Sequence, residues 1–221
     1  MKNKITILLL LIALCSKSIA QGFVNLDFES AQLSGAASGI TSTATAIPGW
    51  NAYLGTNEQT SIFYNIPSLG ASSIILISTN GSVDPVFAGA YSILLYGGTT
   101  DSSASINQSA VVPMSANALL FEGHAGIGTL SVTLGGQNLS FFAIASGSYY
   151  TLYGATIPAN LAGQLESLEF SASNGVNNLW ALDNIQFSAT PIPEPTPLSL
   201  VALGGTFLVW RNRQIFSKIK N

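Results

Sequence analysis

Between Ser18 and Trp210 the chain contains no lysine and no arginine. All seven basic residues of its 221 sit at the ends: Lys2, Lys4 and Lys17 near the start, Arg211, Arg213, Lys218 and Lys220 near the finish. The same interval holds all ten acidic residues. Affinity for phosphate rests on cationic side chains that release counterions, so nucleic-acid binding is excluded and nucleotide chemistry lacks its usual clamp. Cysteine is scarcer still, with Cys15 alone, so a chain that loses its first twenty residues has no thiol for disulfides, thiol catalysis or thiolate zinc. Histidine is represented once, by His124 in Phe121-Glu122-Gly123-His124, and no glycine-flanked serine completes a hydrolase triad. Glu166 and Glu169 have the odd spacing that sends strand side chains to opposite faces, which spoils them as a glycosidase pair. Asp101 with Glu122 is the carboxylate pair left open. Charged residues make up 8% of the chain and hydrophobic ones 48%, too little charge for a helical bundle and too much apolar content for disorder.

What is present is ordered from end to end. Lys2 and Lys4 precede an apolar run from Ile5 to Leu14, and Ser18-Ile19-Ala20 supplies the small residues a signal peptidase reads, so cleavage is expected between Ala20 and Gln21. Leu14, beside Cys15, stands where lipoprotein signals carry a small residue, which argues against lipidation. At the other end, Thr190 to Pro197 holds four prolines in eight residues and reads as an extended spacer. An uncharged stretch from Leu198 to Trp210 follows, and then Arg211-Asn212-Arg213. Thirteen helical residues span roughly 20 Å, short of a ~30 Å hydrocarbon core, so the segment suits sorting better than permanent anchoring. The basic cluster predicts a cytoplasmic tail and an external domain.

Pro193-Glu194-Pro195, the short apolar helix and the arginines Arg211 and Arg213, in that order, resemble the PEP-CTERM sorting signal of Gram-negative bacteria. The resemblance implies recognition by an exosortase, transit through the inner membrane, and release to the cell surface or extracellular matrix. Family tails usually stop soon after the arginines, whereas here Gln214 to Asn221 continues. The expected organisation is therefore a signal peptide (1–20), a β domain (21–189), a proline-rich spacer (190–197), an apolar helix with its Arg cluster (198–213) and a cytoplasmic tail (214–221).

From Gln21 to Ala189 short apolar or alternating runs recur between turn residues. Phe23 to Phe28, Ser61 to Ile66, Ser73 to Ile77, Tyr91 to Tyr96, Thr129 to Leu134, Leu139 to Ala145, Leu165 to Phe170 and Leu179 to Phe187 read as strands. Pro48-Gly49, Asn80-Gly81, Gly97-Gly98 and Asn174-Gly175 read as breaks, and Gly135-Gly136 between alternating runs as a hairpin. Helical periodicity is confined to the two terminal signals. The expectation is an all-β fold, a jelly-roll-like antiparallel β-sandwich.

Phe23 to Glu29, Pro48-Gly49-Trp50 and Trp180 to Ile185 resemble the opening and closing of jelly-roll domains related to carbohydrate-binding modules. The resemblance implies a structural calcium at Glu29 and Asp183, with Asp27 an outside candidate on the strand face of Glu29; the competing reading is a hydrogen-bonded acidic rim. Trp50, Tyr53, Tyr149 and Tyr150 are candidates for stacking on glycan rings, although a sandwich core needs the same residue types. Asn80, Asn107 and Asn138 each open an N-x-Ser sequon, read as chance in a chain this rich in Asn and Ser. The leading functional reading is a non-enzymatic surface or matrix protein, followed by a carbohydrate-binding module for extracellular polysaccharide, with a glycoside-active enzyme third.

In a PEP-CTERM host the mature chain is expected to begin at Gln21 and end near Glu194 by intact mass. Replacing Pro193-Glu194-Pro195 with three alanines leaves the precursor in the inner membrane with its fold unchanged. Wild-type processing of that variant would reduce the tail to a plain hydrophobic anchor.

Overall fold

The computed structural model describes residues 22–33, 38–66, 70–81, 86–98, 103–126, 128–173, 175 and 178–192. The chain divides into two units, Met1–Thr190 and Pro191–Asn221, and every described strand belongs to the first. The strands are β1 (Gly39–Ser42), β2 (Asn51–Leu54), β3 (Asn57–Glu58), β4 (Ser61–Tyr64), β5 (Ser73–Ser78), β6 (Tyr91–Tyr96) and β7 (Ala104–Val111). They continue as β8 (Ala118–Ala125), β9 (Leu130–Leu134), β10 (Gln137–Asn138), β11 (Phe141–Ser146), β12 (Thr151–Thr156), β13 (Leu165–Ala172) and β14 (Leu179–Ser188). They form two sheets, an eight-stranded one in the order β1-β4-β5-β6-β14-β8-β12-β11 and a six-stranded one in the order β10-β9-β13-β7-β2-β3.

Burial follows side-chain alternation. In β13 Leu168, Phe170 and Ala172 are fully buried while Ser167, Glu169 and Ser171 turn away from the core. β9 repeats the pattern with Val132 and Leu134, whereas β7 buries Ser105 as well as Ala104 and Ile106 on either side of it. In β5, by contrast, every residue is buried. Its inward residues Ile74 and Leu76 join the main core, and Ile75 and Ile77 join a second cluster with Leu94 and Ala181, against which Val86 and Phe87 pack. A strand covered on both faces reads as a continuous apolar run, which Ile74 to Ile77 is. Aromatic rings tie the sheets together: Phe121 of β8 meets Phe170 of β13 edge-on at 5.3 Å, and Trp50 meets Phe170 at 6.5 Å and Phe28 at 5.8 Å.

Gly135 and Gly136 turn β9 into β10 with φ of 58° and 72°, the pair of positive angles a tight hairpin needs. The strand expected next splits from that hairpin: β11 begins at Phe141 and pairs with β12 in the other sheet. The pairing is antiparallel except between β4 and β5, which run parallel, and at an isolated parallel bridge from Gly22 to Val111. A single helical turn, α1 (Thr43–Ala46), interrupts the β pattern.

The expected opening strand, Phe23 to Phe28, is a turn. Asn25 and Phe28 adopt φ of 51° and 59°, left-handed values outside the extended region of a regular strand. The Asn25 side chain accepts from the Ser30 N–H at 2.9 Å and donates to the Pro48 carbonyl at 3.1 Å. In place of a neighbouring strand, the Gln108 amide serves the Val24 backbone, accepting its N–H at 2.7 Å and donating to its carbonyl at 3.0 Å. The expected apolar segment 198–210 lies outside the described residues. Among the described residues no helix is long and apolar enough to cross a membrane.

Two glycines separate backbone strain from steric conflict. A Cβ at Gly98, φ 63°, would lie 2.3 Å from the Ser72 nitrogen and 2.6 Å from the Ala71 carbonyl carbon, both fixed backbone. A Cβ at Gly136, φ 72°, meets nothing within 4 Å. Gly136→Ala is expected to cost only the ~1 kcal/mol of a left-handed alanine, and Gly98→Ala about twice that or more. At roughly 2–4 °C per kcal/mol for a domain of this size, thermal melts resolve the difference, and equal shifts would refute the backbone clash.

Candidate functional site

Two carboxylates converge on the segment that leads into β6. Glu29 leaves the N-terminal turn and accepts the N–H groups of Ala90 and Tyr91 on Oε1 at 2.8 and 2.9 Å. Asp183, fully buried on β14, accepts from the Ala88 N–H at 3.1 Å and the Ser92 hydroxyl at 2.7 Å on Oδ2, and from the Asn184 N–H at 2.7 Å on Oδ1. Gly89 lies between them, close enough that a Cβ there would sit 2.3 Å from Glu29 Oε1. Asp183 pairs across the sheet with Glu122 of β8, whose Oε1 accepts from Asn184 Nδ2 at 3.1 Å and whose buried Oε2 has no partner.

The sequence brings Glu29 and Asp183 to the same segment, but they do not fit calcium. A hard cation needs a shell of oxygen donors, whereas these carboxylates are met by N–H and O–H groups presenting their positive ends. Asp27 is engaged locally, accepting the Glu29 N–H at 3.3 Å. No group of three or more His, Cys, Asp or Glu at metal-holding distance exists among the described residues. Burial pushes the Asp183 carboxyl up to about 7; Ser92, Ala88 and Asn184 pull it down and the Glu122 charge adds to the rise.

The outer face of the six-stranded sheet is of a different kind. Register aligns Asn51, Asn107, Glu169, Thr133 and Asn138 in one row across β2, β7, β13, β9 and β10. A second row runs Glu58, Tyr53, Ser105, Ser171, Ser131, with Ser105 in its middle buried. At ~4.8 Å per strand, four strand gaps make the first row roughly 19 Å long. Asn51 donates to the Asn107 side-chain carbonyl at 3.2 Å. Beside the rows lies an open depression of about 430 Å³ bordered by Gly55, Ser103, Thr129, Ser131, Asn138 and Ser171. Every group on both rows is an amide, hydroxyl, carboxylate or phenol, with no cation.

The aromatic candidates do not form one platform. Trp50 is 3% exposed, and its indole N–H donates to the Asn25 carbonyl at 2.9 Å, so it is a core residue and presents no face to a ligand. Tyr53 stands on the outer face just described. Tyr149 and Tyr150 belong to the β11–β12 turn of the other sheet, Tyr149 exposed and Tyr150 with its ring tilted 42° to that of Phe87 at 5.9 Å. His124 is exposed on β8 and pairs across with Ala181. Glu166 and Glu169 fall on opposite sides of β13, as their spacing requires. Ala20, Gln21, Asp101, Pro193, Glu194, Pro195, Arg211 and Arg213 lie outside the described residues.

Sequence reasoning missed the polar rows. Their signal was present as the polar half of each alternating strand, and Asn107 and Asn138 stood out only as sequons. Cross-strand register, which gathers them, is not a local property.

No family model matches the chain, and no curated protein matches it. Among solved structures, it is similar to the family 11 carbohydrate-binding module of the cellulosomal cellulase Lic26A-Cel5E of Clostridium thermocellum, at 11% identity over 71% of this chain and 97% of that one, TM-score 0.38. The family 11 module from Clostridium thermocellum in complex with a β-1,3-1,4-mixed-linked tetrasaccharide scores 0.33 at 11% identity over 71% and 98%. The enzymatically active domain of bacteriophage CBA120 tailspike protein 4 scores 0.35 at 13% identity, over 63% of this chain and 19% of that one.

Asp183 generates a pH prediction. Its folded value of about 7 lies above its ordinary 3.8, so the folded state keeps a proton that the unfolded chain releases. The stability this lends is complete below about pH 4, declines by at most ~1.4 kcal/mol per unit as pH rises, and is gone above about 7. Melting temperature should therefore fall between pH 4 and 8 more steeply in the wild type than in Asp183→Asn. Parallel profiles would show that Asp183 is ionised in the folded state throughout.

Proposed function

We propose that residues 22–190 form a jelly-roll-like carbohydrate-binding module without catalytic turnover, whose binding surface is the outer face of the six-stranded sheet. One observation carries this reading: the two transverse rows of Asn, Ser, Thr, Glu and Tyr side chains, set in register beside an open depression. Amides and hydroxyls both donate and accept, which matches the alternating donors and acceptors of a polyhydroxylated ligand. The Tyr53 ring offers the apolar patch on which a pyranose face can rest. With Glu169 and Glu58 on the rows and no cation near them, the surface favours a neutral glycan over an acidic one.

Delivery belongs to the ends. The leader, cleaved between Ala20 and Gln21, exports the module, and the tail built on Pro193-Glu194-Pro195 and Arg211-Asn212-Arg213 passes it to an exosortase and on to the cell surface or matrix. A matrix protein whose domain has no ligand is the competing reading.

Affinity electrophoresis of residues 22–190 in gels containing neutral or acidic polysaccharides tests the surface. Retardation is expected in at least one neutral gel, with Asn107→Ala and Glu169→Ala each weakening it about tenfold, the ~1.4 kcal/mol of a typical lost polar contact, at unchanged melting temperature. No retardation in any neutral gel favours the ligand-free matrix protein, and retardation indifferent to both variants moves the site elsewhere.

A further inference from the structure

Among the described residues β11 closes the eight-stranded sheet, bonded to β12 on one side and to no strand on the other. Its residues from Ala143 to Ser146 are exposed, Ile144 to 41%, and Tyr149 in the following turn to 66%. Sheet edges are templates for pairing, and folded proteins blunt them by shortness, proline or charge. The other sheet ends follow that rule: β1 has four residues, and β3 and β10 have two each, with Glu58 on β3. β11 does not. It has six residues, Phe-Phe-Ala-Ile-Ala-Ser, with neither proline nor charge, in the β-branched and aromatic style that favours pairing.

Charge identifies the partner. Residues 22–190 carry acidic side chains and no basic ones, so two copies repel each other over most approaches. From Gly123 to Leu165 there is no Asp, Glu, Lys or Arg, and this stretch contains both β11 and β12. A long unprotected edge therefore coincides with a neutral region on an otherwise acidic domain. An antiparallel edge meets its own copy through a two-fold axis with every contact duplicated, so a neutral edge needs no separately evolved complement.

We propose that two copies of this chain associate by antiparallel pairing of β11 with β11, joining their eight-stranded sheets into one. The bulge between Ala143 and Ala145 shortens the regular stretch, so the dimer is a weak one that forms where the local concentration is high. Ile144 and Tyr149 supply its apolar contacts. This inference is independent of the glycan surface, which lies on the other sheet.

The domain that ends at Thr190 contains the whole described core and can be studied by itself. Sedimentation velocity from micromolar to near-millimolar protein, at about 0.05 and about 0.5 M salt, reads the association. The expected result is a concentration-dependent dimer that tightens at high salt, because screening relieves acid–acid repulsion while the edge contacts are uncharged. Ile144→Lys and, separately, Ser146→Lys should weaken the dimer at least tenfold without lowering the melting temperature, since both side chains are exposed. Monomer at every concentration overturns the proposal, as does a dimer indifferent to both variants or one that tightens at low salt.

Discussion

A domain without lysine or arginine has no counterion for any carboxylate it buries, and much of this structure follows from that constraint. Asp183 is wholly buried, yet it is met by two backbone N–H groups and one hydroxyl instead of a cation. Neutral donors stabilise a buried carboxylate less than a guanidinium does, so part of the desolvation penalty stays uncompensated and Asp183 retains its proton up to about pH 7. Glu29, at the surface, uses the same chemistry on the Ala90 and Tyr91 amides of the segment. The residues that resemblance to jelly-roll modules assigns to a calcium thus fasten the segment themselves, one from the N-terminal turn and one from the last strand.

That fastening shapes both faces of the sandwich. The segment leading into β6 is held against β14, and with it Phe87 packs on the outer cluster of Ile75, Ile77, Leu94 and Ala181. Part of the outer face of the eight-stranded sheet is covered in this way, which explains why β5 is buried on both sides while β13 and β9 alternate. The six-stranded sheet keeps its outer face open and polar. Its inner face contributes Phe170, around which Trp50 and Phe121 gather, so the aromatic residues with the most area are spent on joining the sheets.

What was legible in the sequence was local. The run Leu165 to Phe170 predicted the strand β13, two consecutive glycines predicted a hairpin at Gly135-Gly136, and a three-residue spacing predicted that Glu166 and Glu169 would diverge. What was not legible depends on distant partners. Phe23 to Phe28 has a strand's composition, but Asn25 secures a turn through Pro48, and Gln108 replaces the neighbouring strand, contacts 23 and 84 residues away in sequence. The role of Trp50 turned on the same residue, whose backbone carbonyl accepts the indole N–H. The row from Asn51 to Asn138 exists only once five strands are in register, and no single segment hints at it.

The lack of bases acts in opposite directions on the two sheets. On the open face of the six-stranded sheet, Glu58 and Glu169 stand among neutral amides and hydroxyls with no arginine or lysine to occupy them, so hydrogen-bonding capacity is left for a ligand instead of being consumed in ion pairs. At β11 the same composition withholds the lysine that usually guards a sheet edge. Acidic repulsion then has to keep copies apart, and it is weakest where the chain from Gly123 to Leu165 carries no charge at all. Under the two proposals, one compositional bias leaves an open face for a neutral polymer and an unguarded edge for a second copy, on different sheets, so that occupation of one does not obstruct the other.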